Sequence, residues 1–182
     1  MKKYIIIGVV IMFAMMGVAN YNAIKECSIN VDAKYGQVEN QMQRRADLIQ
    51  NLVSTVKGYA QHEEKIMTEV SEARIKLAEA ATPEAKDLAN SELSASLGKL
   101  LMVAESYPDL KASANYVELM RELSGSENRI SVARKDYNEA VQLYNVEVQT
   151  FPGNIFAGMM GFAPKEQFKA DESAKEVPKV NF

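Results

Sequence analysis

The sequence predicts an all-α protein: an up-and-down antiparallel helical bundle preceded by one N-terminal transmembrane helix. Three observations carry that expectation. The 182 residues include only 9 Gly and 5 Pro, and 47% of them are hydrophobic; Ala, Glu, Lys, Leu and Met, which lose little on entering a helix, are abundant. Apolar residues recur every seven positions through much of the chain, the spacing that gives a helix one apolar seam. Finally, Lys2 and Lys3 are followed by YIIIGVVIMFAMMGVA, Tyr4 to Ala19, which contains no charge.

That first segment sets the location. At 1.5 Å per residue it covers about 24 Å, against a hydrocarbon core of ~30 Å. Continuing through Asn20 and Tyr21 places Tyr4 and Tyr21 at the two interfaces, where tyrosine is favoured. Residues 1–21 are therefore expected to be an anchor. A cleaved signal peptide has the same basic start and apolar middle, and Gly17-Val18-Ala19 fits its small-x-small cleavage site. The helical pattern runs straight on without a spacer, which favours the anchor. Lys25 and Glu26 cancel, so Lys2 and Lys3 direct the N-terminus to the cytoplasm and the bulk of the chain outside. Cys27 follows Ile24-Lys25-Glu26, unlike the small apolar residues that precede a lipid-bearing cysteine. Being the single cysteine, it also excludes an intramolecular disulfide framework or a cysteine-rich zinc site.

Residues 22–151 are read as the bundle. Tyr35, Met42, Ile49 and Val56 form one seam row, and Val31, Val38, Arg45, Leu52 and Tyr59 its companion. Thr82-Pro83 separates this part from a segment over Glu84 to Ser106 that carries Leu88, Leu93, Leu97, Leu100 and Leu101. After a turn at Tyr107-Pro108-Asp109, the last helix repeats Tyr116, Leu123, Ile130, Tyr137, Tyr144 and Phe151. Its second row is Met120, Glu127, Arg134, Val141 and Val148.

Two arrangements fit these seams. One continuous helix from Asn20 to Ala81 gives three helices. A break near Gly58 to Gln61 gives four, pairing Asn22 to Lys57 with Ala112 to Gln149, and Gln61 to Ala81 with Glu84 to Ser106. Four is favoured, because burying a long apolar seam at ~25 cal/mol per Å² outweighs the local cost of a break. Phe151-Pro152-Gly153 ends the last helix, and residues 152–182 are read as a short apolar loop and a disordered tail from about Lys165.

Two charges interrupt the seams, Arg45 and Glu127. Antiparallel neighbours of equal length would face one another at positions whose numbers sum to about 170, which brings the two interruptions together. A structural polar layer of Arg44, Arg45, Asp47, Asn51, Glu127, Asn128 and Arg129 follows as an expectation, since a buried charge is tolerated only when paired. Two alternatives stand beside it: the seam opens and these residues are solvated, or the layer binds a small anion.

Little conventional chemistry is present. Net charge is −3, and without Lys2 and Lys3 the other 19 of the 21 basic side chains face 24 acidic ones, giving −5. That argues against a nucleic-acid binder. His62 is the single histidine, so His62-Glu63-Glu64 lacks the second ligand of a zinc-protease helix, and Tyr59 stands where a Glu-x-x-His pair would need glutamate. No phosphate-cradling glycine loop occurs, and no triad can be built from His62 and Cys27. Tyr116, Tyr137 and Tyr144 read as core aromatics with hydroxyls at the edge. No enzyme activity, cofactor or metal is expected.

QMQRRADLIQNLVSTVKGYAQHE, ESYPDLKASANYVELMREL, SENRISVARKDYNEAVQLYN, FPGNIFAGMMGF and the closing PKVNF together resemble the LemA family along nearly the whole chain. The resemblance implies a bacterial helical bundle with a single N-terminal span in the inner membrane and no established catalysis. One branch of that family takes part in building magnetosome membranes. Family patterns commonly place Ala-Trp where this chain has Lys34-Tyr35, so that region is expected to pack differently.

The reading that joins these expectations is a membrane-anchored scaffold or adaptor that acts through lipid and an unidentified protein partner. Ile155, Phe156, Met159, Met160 and Phe162 of the apolar loop are its candidate partner or membrane contacts. The alternative is an anion-binding module, or an accessory subunit of a membrane enzyme, built on Arg44, Arg45 and Glu127. No feature of the sequence sets an oligomeric state.

Overall fold

The computed structural model describes residues 2–60 and 62–169, and these are helical with no strand among them. The elements are α1 (Lys2–Lys57), α2 (Glu64–Glu79), α3 (Pro83–Ala104), α4 (Pro108–Ala112), α5 (Ala114–Gln149) and α6 (Gly153–Met160). The break at Gly58 is present. The amides of Gly58, Tyr59 and Ala60 turn back onto the carbonyls of Thr55 and Val56, and Ala60 is fully buried. No break separates residue 21 from residue 22, so the apolar N-terminal segment and the first bundle helix are one element.

The described residues divide into two compact units, residues 2–45 with 124–166 and residues 46–123 with 167–169. In the first, α1 and α5 run antiparallel. Lys34 Nζ lies 3.3 Å from Asp136, the rings of Tyr35 and Tyr137 are 5.6 Å apart, and Arg45 meets Glu127. Val31, Val38 and Met42 are buried on α1, and Ile130, Tyr137, Val141 and Tyr144 on α5. The heptad rows are thus the buried seams, since side chains seven apart return to the same helix face. Lys34-Tyr35 makes cross-helix contacts with Asp136 and Tyr137, so this dipeptide is part of the α1–α5 interface.

In the second unit α2 and α3 form an antiparallel hairpin. Lys99 reaches Glu69 and Lys76 reaches Glu92, each at 2.8 Å. Such exposed pairs contribute little stability; burial of Val70, Leu77, Leu93 and Leu100 carries the packing. Thr82 caps α3 by accepting the Ala85 amide at 3.1 Å, with Pro83 in the first turn. Leu88, expected in this seam, is exposed. Tyr107-Pro108-Asp109, expected as a turn, leads into the single-turn helix α4.

Two seam residues fall outside the core for one reason. Tyr59 lies just past the end of α1 and Phe151 just past the end of α5, and both are exposed. A heptad position loses its direction once the backbone leaves the helix.

The C-terminal region departs from the expected loop and tail. Residues after Pro152 form α6, closed by Gly161, whose φ of 77° is left-handed backbone that glycine adopts without strain. The Lys165 amide donates to Asn145 Oδ1 at 2.8 Å and its carbonyl accepts from Asn145 Nδ2 at 2.9 Å. Phe168 is buried. The stretch from Lys165 to Lys169 is therefore irregular but not free; the remainder of the expected tail, 170–182, lies outside the described residues.

Candidate functional site

Arg45 is carried inward by the α1 seam and is 5% exposed. Its Nη1 donates to Glu127 Oε2 at 2.8 Å, whereas the Glu127 side chain is 56% exposed. Burial lowers the guanidinium pKa and Arg134 adds to that, with the carboxylate of Glu127 opposing both. An arginine so placed remains charged at any ordinary pH. The pair therefore couples a charge inside the helix seam to one that stays in water.

The other expected members of the layer are placed differently. Arg44, Asp47, Asn51, Asn128 and Arg129 are all exposed. Position along the helix explains it: each lies one or two residues from a seam position and not on the seam, so rotation of about 100° per residue turns it outward. A shallow open depression of about 320 Å³ is lined by Gln37, Gln41, Asn128, Arg129, Val132, Ala133 and Asp136. It presents a carboxylate and the buried Gln41 carbonyl, which has no hydrogen-bond partner among the described residues.

The remaining candidates of chemistry are scattered. His62 is exposed. Burial pushes the Cys27 thiol up, helped by Glu147 and Glu26, which keeps it protonated and a poor nucleophile. Among the described residues no three of His, Cys, Asp and Glu converge as a ligand set. The Tyr137 hydroxyl donates to the Glu166 carbonyl at 3.0 Å, and that of Tyr144 to the Ala163 carbonyl at 2.9 Å. Those two bonds tie the chain after α6 to α5.

A second feature, not visible as such in the sequence, is the placement of α6. Phe156 is buried, and its ring centroid lies 5.2 Å from that of Phe13. A Cβ at Gly17 would approach the same ring to 3.3 Å, so glycine there lets it sit close to the α1 backbone. The Phe162 ring is 5.9 Å from Tyr21. Ile155, Met159 and Met160 are exposed on α6. The small-residue pair Gly17 and Gly153, with the uncharged run around Phe156, was the only available signal for this docking. An open groove of about 790 Å³ in the second unit, between residues of α1 such as Gln50 and Lys57 and of α2 such as Met67 and Ile75, was likewise unanticipated.

Comparison with known proteins places these features. The sequence model of the LemA family matches residues 34–182. Magnetosome protein MamQ 2 of Paramagnetospirillum magneticum is 28% identical over 195 aligned positions, covering 93% of this chain and 71% of that protein. Magnetosome protein MamQ of Magnetospirillum gryphiswaldense is 26% identical over 174, covering 81% and 64%. Protein LemA of Metamycoplasma hominis is 29% identical over 130, covering 71% and 59%. Among the described residues one helix, α1, is also long and apolar enough to cross a membrane, and its most apolar window is only 6% buried. With an all-helical fold, an exposed apolar N-terminal helix and a match over most of its length, this chain belongs to the LemA family.

Proposed function

We propose that this protein is a membrane-anchored helical scaffold or adaptor without catalysis of its own. The observation that carries the reading is the continuity of α1: Ile5 to Val18 expose apolar side chains, and the same helix continues as the stem on which α5 packs. Such a surface is stable in lipid and unfavourable in water. The names of the magnetosome and LemA relatives agree with a membrane-associated role. With Lys2 and Lys3 at one end, the bundle lies on the extracytoplasmic side of the bacterial inner membrane. Exposed apolar side chains on the bundle, Val117, Val132 and Leu143 among them, are the points from which it engages a protein partner.

The test has two parts. Deleting residues 2–21 should move the protein from the membrane fraction to the soluble fraction, while protease added to spheroplasts should cleave the intact chain. Photo-crosslinkers at Val117, Val132 and Leu143, which share one face of α5, should then give adducts in intact cells that a probe at the exposed Leu88 of α3 does not. Retention that resists alkaline carbonate extraction without the N-terminal segment, as only a spanning element gives, would overturn the anchor. Absence of any site-dependent adduct would overturn the adaptor.

A further inference from the structure

From Val148 to Pro164 the chain carries no charged side chain. Within this stretch α6 does not fold onto the seam between α1 and α5. It docks on the apolar N-terminal segment instead, through Phe156 on Phe13 and Gly17. Gly17 and Phe13 lie four and eight residues inward of Tyr21, a depth of about 6 and 12 Å along the helix axis. That depth is where an interfacial helix buries its apolar face.

The polar groups of the segment are compatible with such a place. Asn154 and Ile155 amides bond to the Thr150 and Pro152 carbonyls, and the Phe162 amide closes the end on Ala157. Backbone in lipid must be satisfied internally in this way. The chain leaves α5 at Gln149 and comes back beside it at Lys165, whose ammonium lies 2.6 Å from Asp32 and above the Tyr144 ring. Charge thus reappears only where the segment has returned to the level of the charged bundle. Flanking Phe156 on the same helix, within about 100° of it, Ile155, Met159 and Met160 are exposed, with Met159 at 73%, and they stand beside the apolar α1 segment on which Phe156 docks.

We propose that α6 is a second membrane element, inserted into the leaflet on the bundle's side alone, with Ile155, Met159 and Met160 against lipid acyl chains. This rests on the anchored reading of α1. The occupant of the exposed face is lipid and not protein, because the surface it extends is the lipid-facing surface of the anchor. Uncharged residues flank it on both sides, and only an apolar medium meets all of them at once.

Spin labels at single cysteines test this in the full chain carrying Cys27→Ser, reconstituted in phosphatidylethanolamine–phosphatidylglycerol vesicles. Labels on Met159→Cys and Met160→Cys should show several-fold greater access to oxygen than to a water-soluble nickel chelate. They should match a label on Ile11→Cys in the anchor and contrast with one on Leu143→Cys in α5. Nickel access at 159 and 160 equal to that at 143 would overturn the proposal while leaving the anchor intact. Exclusion of both reagents would mean that protein covers the face, and would also overturn it. Nickel access at position 11 would remove the anchored reading, and this proposal with it.

Discussion

Arg45 and Glu127 meet at 2.8 Å with the arginine buried and the glutamate more than half exposed. The two ends of this ion pair are therefore not equivalent. Removing Glu127 leaves a guanidinium inside the seam without this carboxylate, whereas removing Arg45 leaves a carboxylate that water already solvates.

A double-mutant cycle should show that asymmetry. Severing a pair buried at both ends costs about 3–5 kcal/mol; with Glu127 in water, Glu127→Leu should cost about 2 kcal/mol. Arg45→Met, which fills the seam with a side chain of similar length, should cost less than about 1 kcal/mol. The double variant should recover most of the loss of Glu127→Leu. Urea denaturation of each in detergent micelles reads this, and equal losses for the two single variants would refute the assignment.

Gly153 tests the connection between α5 and α6. A Cβ there would overlap the Glu147 carbonyl oxygen, a backbone atom that cannot swing aside. Gly153→Ala should destabilise the protein by about 1–3 kcal/mol. Gly158→Ala, where an added methyl meets nothing within 4 Å, should be neutral or slightly stabilising, because alanine favours the helix. Thermal unfolding followed by circular dichroism separates them, and matching melting temperatures would contradict the packing.

Alkaline pH tests the tyrosines. Burial, then the charge of Asp32, raises the pKa of both Tyr137 and Tyr144 above the ordinary phenol value. The unfolded chain then gives up these protons first, so the stability they contribute is complete below about pH 10 and is lost as pH rises beyond it. Tyr144→Phe should cost about 1 kcal/mol at neutral pH for the lost bond to Ala163. It should also flatten the alkaline decline relative to the parent. An unchanged slope in chemical denaturation above pH 10 would show that the hydroxyl is not held as described.

Much of the architecture was legible because period and punctuation agreed. Thr82-Pro83 caps and opens α3, and the α1 seam from Val38 to Val56 is buried along its length. The turn at Gly58 followed from asking what a long apolar seam would pack against. Two interruptions in two seams also pointed Arg45 toward Glu127. Which of them sits inside depends on how far each helix rolls toward its neighbour, and spacing alone does not encode a roll of a few tens of degrees. Helix α6 was read as a loop because its eight residues, Gly153–Met160, are too few to show a period. Its docking on Phe13 was hidden for a different reason: the contact joins residues far apart in sequence, across a turn whose direction no local pattern states.

The absence of a joint between Tyr21 and the bundle has a mechanical consequence. Apolar anchor and packed stem share one uninterrupted helix backbone, so an anchored α1 has no hinge to absorb a change of angle. Bilayers of different thickness tilt a spanning helix, and a tilt of about 10° pivoting at Tyr21 carries Arg45, ~36 Å along the axis, sideways by about 6 Å. An α1 anchored as proposed would convert membrane thickness into lateral displacement of its stem, as a rigid lever does.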